Sequence, residues 1–152
     1  GREQRLRVAL DKVADDYDWI LVDCPPTLGV LTVGALSAAH EVLIPLQAET
    51  LSHRGVGQLL DTIHDVKQFI NSELVILGVL PTMYDGRTNH AQAVIRAIEE
   101  SYELTIVQPP IPKTIRFAEA PAIGRSILGT SKNHKGAEAY RQVAASLLNG
   151  HG

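Results

Sequence analysis

Asp23 follows the apolar run Trp19, Ile20, Leu21 and Val22, and is itself followed by Cys24, Pro25 and Pro26. The run is too short for a helix and rich in β-compatible side chains, so it predicts a central parallel strand over residues 19–22. Open α/β sheets bind ligands at the carboxyl ends of their strands, which makes Asp23 a candidate for metal or phosphate work. Each proline fixes φ and lacks an N–H, and Pro26 biases Pro25 away from helix, so the chain must leave the strand in a defined direction. An acidic strand end before an ordinary loop describes the same residues equally well, because one carboxylate does not make a site.

Positioning such a carboxylate needs a sheet and its flanking layers. Leu6, Ala9, Leu10 and Val13 lie at helical spacing and predict an amphipathic helix over residues 2–15. A small-residue helix over 27–39, capped by Thr27, leads to a second strand at 42–46. Ser52 is the expected cap of a longer helix with Val56, Leu59, Leu60, Ile63, Val66 and Ile70 on one stripe. A third strand over 74–80 ends at Pro81, Thr82 and Met83. A turn over 84–89 and a helix over 90–102 follow, the helix turning Ala91, Val94, Ile95 and Ile98 inward. A short fourth strand at 104–107 runs into a proline-rich segment that cannot be a central strand. Short and closing helices are expected at 115–122 and 136–148, the latter with Tyr140, Val143, Ala144 and Leu147 packed inward. Alternation of this kind predicts an α/β fold, a parallel sheet flanked by helices, with 1–152 as a single α/β domain. The three strand ends, at Asp23, at 81–83 and at 108–113, would then line one edge, where a nucleotide is expected.

The chain of 152 residues, 45% hydrophobic and 20% charged, has the make-up of one globular domain, and it has no apolar run long enough to cross a membrane and no secretory signal pattern. Its one cysteine cannot form an internal disulfide. Net charge is −3, unevenly spread: six Lys or Arg against two Glu from residue 105 onward give +4, leaving −7 for the first 104 residues. A basic portion of this kind permits an anionic partner, although a solvated basic face is the commoner cause. No G-x-x-x-x-G-K-[ST] phosphate loop and no G-x-G-x-x-G occur. The segment Gly124-Arg125-Ser126-Ile127-Leu128 lacks the closing glycine of a nucleophile elbow. The histidines show no metal-ligand spacing, and a single thiol at a strand end reads as inert packing.

Three stretches together carry a family resemblance. Tyr17-Asp18-Trp19-Ile20-Leu21-Val22-Asp23-Cys24-Pro25-Pro26, then Gly78-Val79-Leu80-Pro81-Thr82-Met83-Tyr84-Asp85-Gly86-Arg87-Thr88-Asn89, then Ile111-Pro112-Lys113-Thr114-Ile115-Arg116-Phe117-Ala118-Glu119-Ala120-Pro121, resemble the C-terminal part of the ParA/Soj chromosome- and plasmid-partitioning ATPases. The likeness runs over residues 18–148 and is most specific in the third stretch. It implies a partial P-loop NTPase fold of the SIMIBI-like kind. Asp23 would be the Walker B carboxylate that holds Mg²⁺ through its water shell. Asp23, Pro25 and Pro26 would form the switch that senses the γ-phosphate, and Pro25, Thr82, Met83, Pro112 and Lys113 would contact ATP. Arg87 and Arg116 match positions used to grip DNA without reading its sequence, as an ATP-bound homodimer. The resemblance also implies a ParB-type partner, a cytoplasmic, nucleoid-associated setting and no membrane anchor.

The family's deviant Walker A loop has no counterpart in this sequence. Without that cradle and its lysines a triphosphate has no anchor, so the 152 residues alone are expected to be inactive, although the resemblance implies that the full-length protein would be an ATP hydrolase. A strand left unpaired by that missing segment would favour dimerisation or aggregation. Two alternatives stay open: a non-catalytic interaction module that dimerises through an exposed sheet edge, and a MinD-like ATPase. The second should end in a basic amphipathic helix, and the last residues here are too short and uncharged for one.

Overall fold

A computed structural model describes residues 1–25, 27–48 and 53–150. The chain falls into two compact units, residues 1–42 with 52–77 and residues 43–51 with 78–152. Pro26 and the expected cap Ser52 lie outside the described residues.

In the first unit the opening helix is shorter than its periodicity suggests. A 3₁₀ turn, Arg2–Gln4, passes into α1, Arg5–Leu10, and a second 3₁₀ turn covers Ala14–Asp16. Leu6 and Leu10 are half-buried, whereas Ala9 and Val13 are exposed. Helix α2, Val30–Ala38, packs on α1 and on α3, His53–Phe69. The expected cap at Thr27 is not made. Gly29 occupies the N-cap position without a side-chain bond, and Thr27 offers its carbonyl to the Thr32 hydroxyl instead. The C-terminal end of α2 is closed by Asn71, which is buried and donates from Nδ2 to the carbonyls of Leu36 (3.0 Å) and Ala39 (2.8 Å). These are carbonyls near the end of a helix, where intrahelical partners run out. On α3 the predicted stripe holds: Val56, Leu60, Ile63 and Val66 are buried, with Leu59 and Ile70 at its margin.

The strand predicted over residues 19–22 does not form. No regular structure covers residues 18–25, and Trp19, Ile20, Leu21 and Val22 are all exposed, Leu21 at 90%. A strand needs a neighbour to receive its N–H and C=O groups, and the described sheet has two strands that pair with each other. Asp23 therefore ends an exposed run without regular structure rather than a strand.

Strands β1, Glu41–Gln47, and β2, Val75–Thr82, run parallel, with Val75 N–H donating to His40 O (2.9 Å) at one end and Ala48 N–H to Thr82 O (3.4 Å) at the other. β1 passes through Pro45, whose ring faces out between buried Ile44 and Leu46. A proline is tolerated there because β1 lies at the edge of the described sheet. β2 continues through Pro81 to Thr82, since the Pro81 carbonyl still accepts the Ile111 N–H (2.8 Å).

In the second unit the predicted fourth strand is reduced to isolated bridges. Val79 exchanges bonds with Thr105 and Val107 (2.8 Å each), and Tyr84 bridges Pro112. A cis Gln108–Pro109 bond lies between the two bridges. Gly78 permits the first approach: its φ is +139°, and a Cβ there would run into the Thr105 carbonyl. Helix α4, Asn89–Tyr102, is capped by Thr88, which accepts from Ala91 N–H at 3.3 Å, and buries Ala91 and Ile98. Helices α5, Arg116–Ala122, α6, Ile127–Thr130, and α7, Lys135–Asn149, follow. The core joins Leu80 and Ile111 to Ala139 and Val143 of α7, with Leu43, Val107, Phe117 and Leu147 around them. Tyr140 and Ala144, both expected inward, are exposed, whereas Ala137 and Ala139 are buried. The buried face of α7 is rotated toward its small residues, where α5 comes close.

Candidate functional site

The second unit brings four of the predicted site residues together. Thr82 ends β2, and Met83 immediately after it holds φ +49°, left-handed backbone that a non-glycine residue seldom adopts. Beyond it, Tyr84 N–H donates to Ile111 O (3.0 Å) and Lys113 N–H to Tyr84 O (3.1 Å). These bonds set the 82–84 backbone beside Pro112 and Lys113, joined by a parallel bridge between Tyr84 and Pro112. Thr82, Met83 and Pro112 are half-buried and Lys113 is exposed. The four residues thus sit at the carboxyl end of β2, two on each of two neighbouring segments.

The two predicted DNA arginines are each engaged by a nearby carboxylate. Arg87 grips Asp85 with both Nε and Nη2 (2.9 Å each) while its own backbone N–H donates to the same carboxylate (3.1 Å). These hydrogen bonds, first from the guanidinium and then from the backbone, hold the Asp85 carboxyl down at about 2, and the Arg87 guanidinium is raised in turn. Gly86 between them lets the Tyr84 ring lie close and offers its carbonyl to Gln92 (2.7 Å). The Arg87 side chain is still 90% exposed. Arg116 pairs through Nη1 with Glu119 Oε2 at 2.9 Å, one helical turn on. Sequence reasoning chose the cations and missed Asp85, whose signal was its spacing: an acid two residues before an arginine, with a glycine between.

Asp23 and Pro25 lie in the first unit, both exposed. The neighbouring Cys24 is exposed too, and its thiol is pushed up, first by partial burial of the sulfur and then by the Asp23 carboxylate, which disfavours the reactive thiolate. Among the described residues no cluster of three or more His, Cys, Asp or Glu is close enough to hold a metal. A carboxylate that meets Mg²⁺ through water does not need such a cluster. Among the described residues no helix is long and apolar enough to cross a membrane.

The family model for the AAA domain matches residues 1–76. The chain is 41% identical over 147 residues to the sporulation initiation inhibitor protein Soj of Bacillus subtilis, covering 97% of this chain and 58% of that protein. It is likewise 41% identical over 148 residues to the chromosome partitioning protein ParA of Myxococcus xanthus, covering 97% and 52%. Among solved structures, a cobyrinic acid a,c-diamide synthase from Mycobacterium smegmatis with bound ATP analog and magnesium superposes with a TM-score of 0.84 at 48% identity, over 97% of this chain and 54% of that one. The chain thus spans somewhat more than half the length of the relatives it matches.

Proposed function

The chain belongs to the AAA domain family and is a homologue of the Soj and ParA partitioning proteins, and on that premise we propose that it forms part of a Mg²⁺-dependent ATPase of chromosome or plasmid segregation. In this reading the complete protein dimerises on ATP, holds DNA without reading sequence, and answers to a ParB-type partner in the cytoplasm, at the nucleoid. The observation that carries the reading is 41% identity to Soj sustained over 97% of the chain.

The residues divide the work by chemistry. Asp23 accepts hydrogen bonds from Mg²⁺-bound water, and Pro25 and Pro26 hold the following turn stiff so that it answers to the γ-phosphate. Thr82, Met83, Pro112 and Lys113 flank the nucleotide. Support for this group comes from the bonds that tie Tyr84 to Ile111 and Lys113. Arg87 and Arg116 meet DNA phosphates, and the carboxylates beside them weaken each grip, as suits a protein that must let go of its track. The 152 residues by themselves contain no phosphate loop and turn over no ATP in this account.

Charge reversal tests the DNA assignment. Arg87→Glu and Arg116→Glu in the full-length protein should each lower the slope of log K against log salt by about 1, with weaker retention on every DNA sequence. Unchanged retention across salt removes these arginines from the interface. A second reading rests on the 48% identity to the protein described as a cobyrinic acid a,c-diamide synthase. Amidation of a corrinoid by the full-length protein, without DNA retention, would favour that reading over partitioning.

A further inference from the structure

The Arg87 side chain is 90% exposed, and yet the residue is tied by three hydrogen bonds to one carboxylate, that of Asp85. Which nitrogens make those bonds decides what is left over. A guanidinium carries five N–H groups in one plane. Its Nε–H goes to Asp85 Oδ1 and one Nη2–H to Oδ2 (2.9 Å each), so the carboxylate closes on the side edge of the group. The outer edge, one proton from Nη1 and one from Nη2, is left for solvent. Asp85 is itself anchored on two sides. Its carbonyl accepts the Thr88 N–H (3.1 Å) and hydroxyl (3.0 Å), Thr88 caps α4, and Gln92 of α4 donates to Gly86 O (2.7 Å). Before it, Tyr84 is bonded to Ile111 and Lys113. The Asp85 side chain is only 25% exposed, so it has little room to follow a moving arginine. Arg116 differs, meeting one Glu119 oxygen through Nη1 (2.9 Å).

We propose that Asp85 is a positioning residue, which fixes Arg87 by its Nε–Nη2 edge and so presents the Nη1–Nη2 edge to a single DNA phosphate as a two-pronged donor. The proposal rests on the reading in which Arg87 meets DNA, and adds how that contact is made. A loose arginine gives up rotamer freedom when it binds; one already held has less to lose. Two parallel N–H groups also match two oxygens of one phosphate, which a lysine ammonium, a point charge on a flexible stem, does not. The carboxylate thus takes some charge from the contact and gives it a direction. It keeps that role through the neutral range, because the Arg87 hydrogen bonds, with Lys113 adding attraction, hold its carboxyl at about 2.

A double-mutant cycle on DNA retention by the full-length protein tests the positioning, since it cancels the change in net charge that Asp85→Asn brings on its own. Arg87→Lys should lower retention about fivefold with Asp85 in place and less than about twofold in Asp85→Asn, where the amide offers one acceptor oxygen and the fork is lost. Equal costs of Arg87→Lys in the two backgrounds overturn the proposal. NMR of the chain without DNA reads the fork separately. The Arg87 Nε–H should give a resolved, slowly exchanging signal that is lost in Asp85→Asn, while the Ala91 amide, on the Thr88 cap, stays as it was. An Arg87 Nε–H that exchanges equally fast in both chains overturns the fork. A slow Nε–H beside DNA retention indifferent to Arg87→Glu overturns DNA as the ligand, and with it the reading above, but not the held arginine.

Discussion

Two segments, 17–25 in the first unit and 104–113 in the second, have opposite fates. The first is the more strand-like by composition, with four consecutive apolar residues. Yet it carries no regular structure, and Leu21 is 90% exposed. The second is interrupted by prolines and a cis peptide bond, yet its carbonyls and N–H groups are taken up by Val79, Pro81 and Tyr84, and Ile111 lies in the core. Apolar composition sets what a segment gains from burial. Whether it becomes part of a sheet depends on a neighbouring backbone within hydrogen-bonding distance.

Substitutions can break this contrast at graded strengths. Ile111→Ala removes a side chain only 2% exposed and should cost about 2–5 kcal/mol in chemical denaturation. Leu21→Ala, the matching change in the other segment, should stay within about 0.5 kcal/mol. Equal losses at the two positions would mean that residues 17–25 are packed in solution. Gly78→Ala attacks the pairing itself, forcing a side chain into left-handed backbone against Thr105, and should cost roughly 2–4 kcal/mol together with exchange protection at Val79 and Val107. In the first unit, Asn71 closes the end of α2. Asn71→Ala leaves the Leu36 and Ala39 carbonyls without their buried donor and should cost about 1–3 kcal/mol, read by the same denaturation.

The smallest effect comes from acid. Asp85 titrates at about 2 in the folded chain against an ordinary 3.8, so its contribution is complete above pH 4 and lost as pH falls through about 2. Carboxyl NMR should find that midpoint, and Asp85→Asn should flatten stability across the same window. An unshifted Asp85 would mean that the Arg87 fork does not persist in solution.

The stripes of α3 and α4 were legible because a period of 3.6 needs no knowledge of the partner surface: Ile63 and Ile98 had to face inward wherever the core lay. The Thr88 cap was not among the expectations, although it acts within one turn. Thr27 shows the limit, as its carbonyl found Thr32 and the N-cap fell at Gly29, two residues beyond the expected one. The arginines at 87 and 116 were visible as charges, but their engagement by Asp85 and Glu119 was not, because side-chain pairing depends on the local backbone path.

By itself the sequence determined the class of fold, the faces of the long helices, the strands β1 and β2, and, through three motif-bearing stretches, the kinship to partitioning ATPases. Those are properties of local period and residue identity. Only the tertiary structure decided that residues 19–22 remain outside the sheet, that Thr82 and Met83 adjoin Pro112 and Lys113, and that His134, at the start of α7, meets Thr114 (3.4 Å). Each of these depends on which backbone comes alongside which. Segments thirty residues apart or twenty carry no mark of that in their own composition, because hydrogen bonds between them form only once the rest of the chain has set their separation.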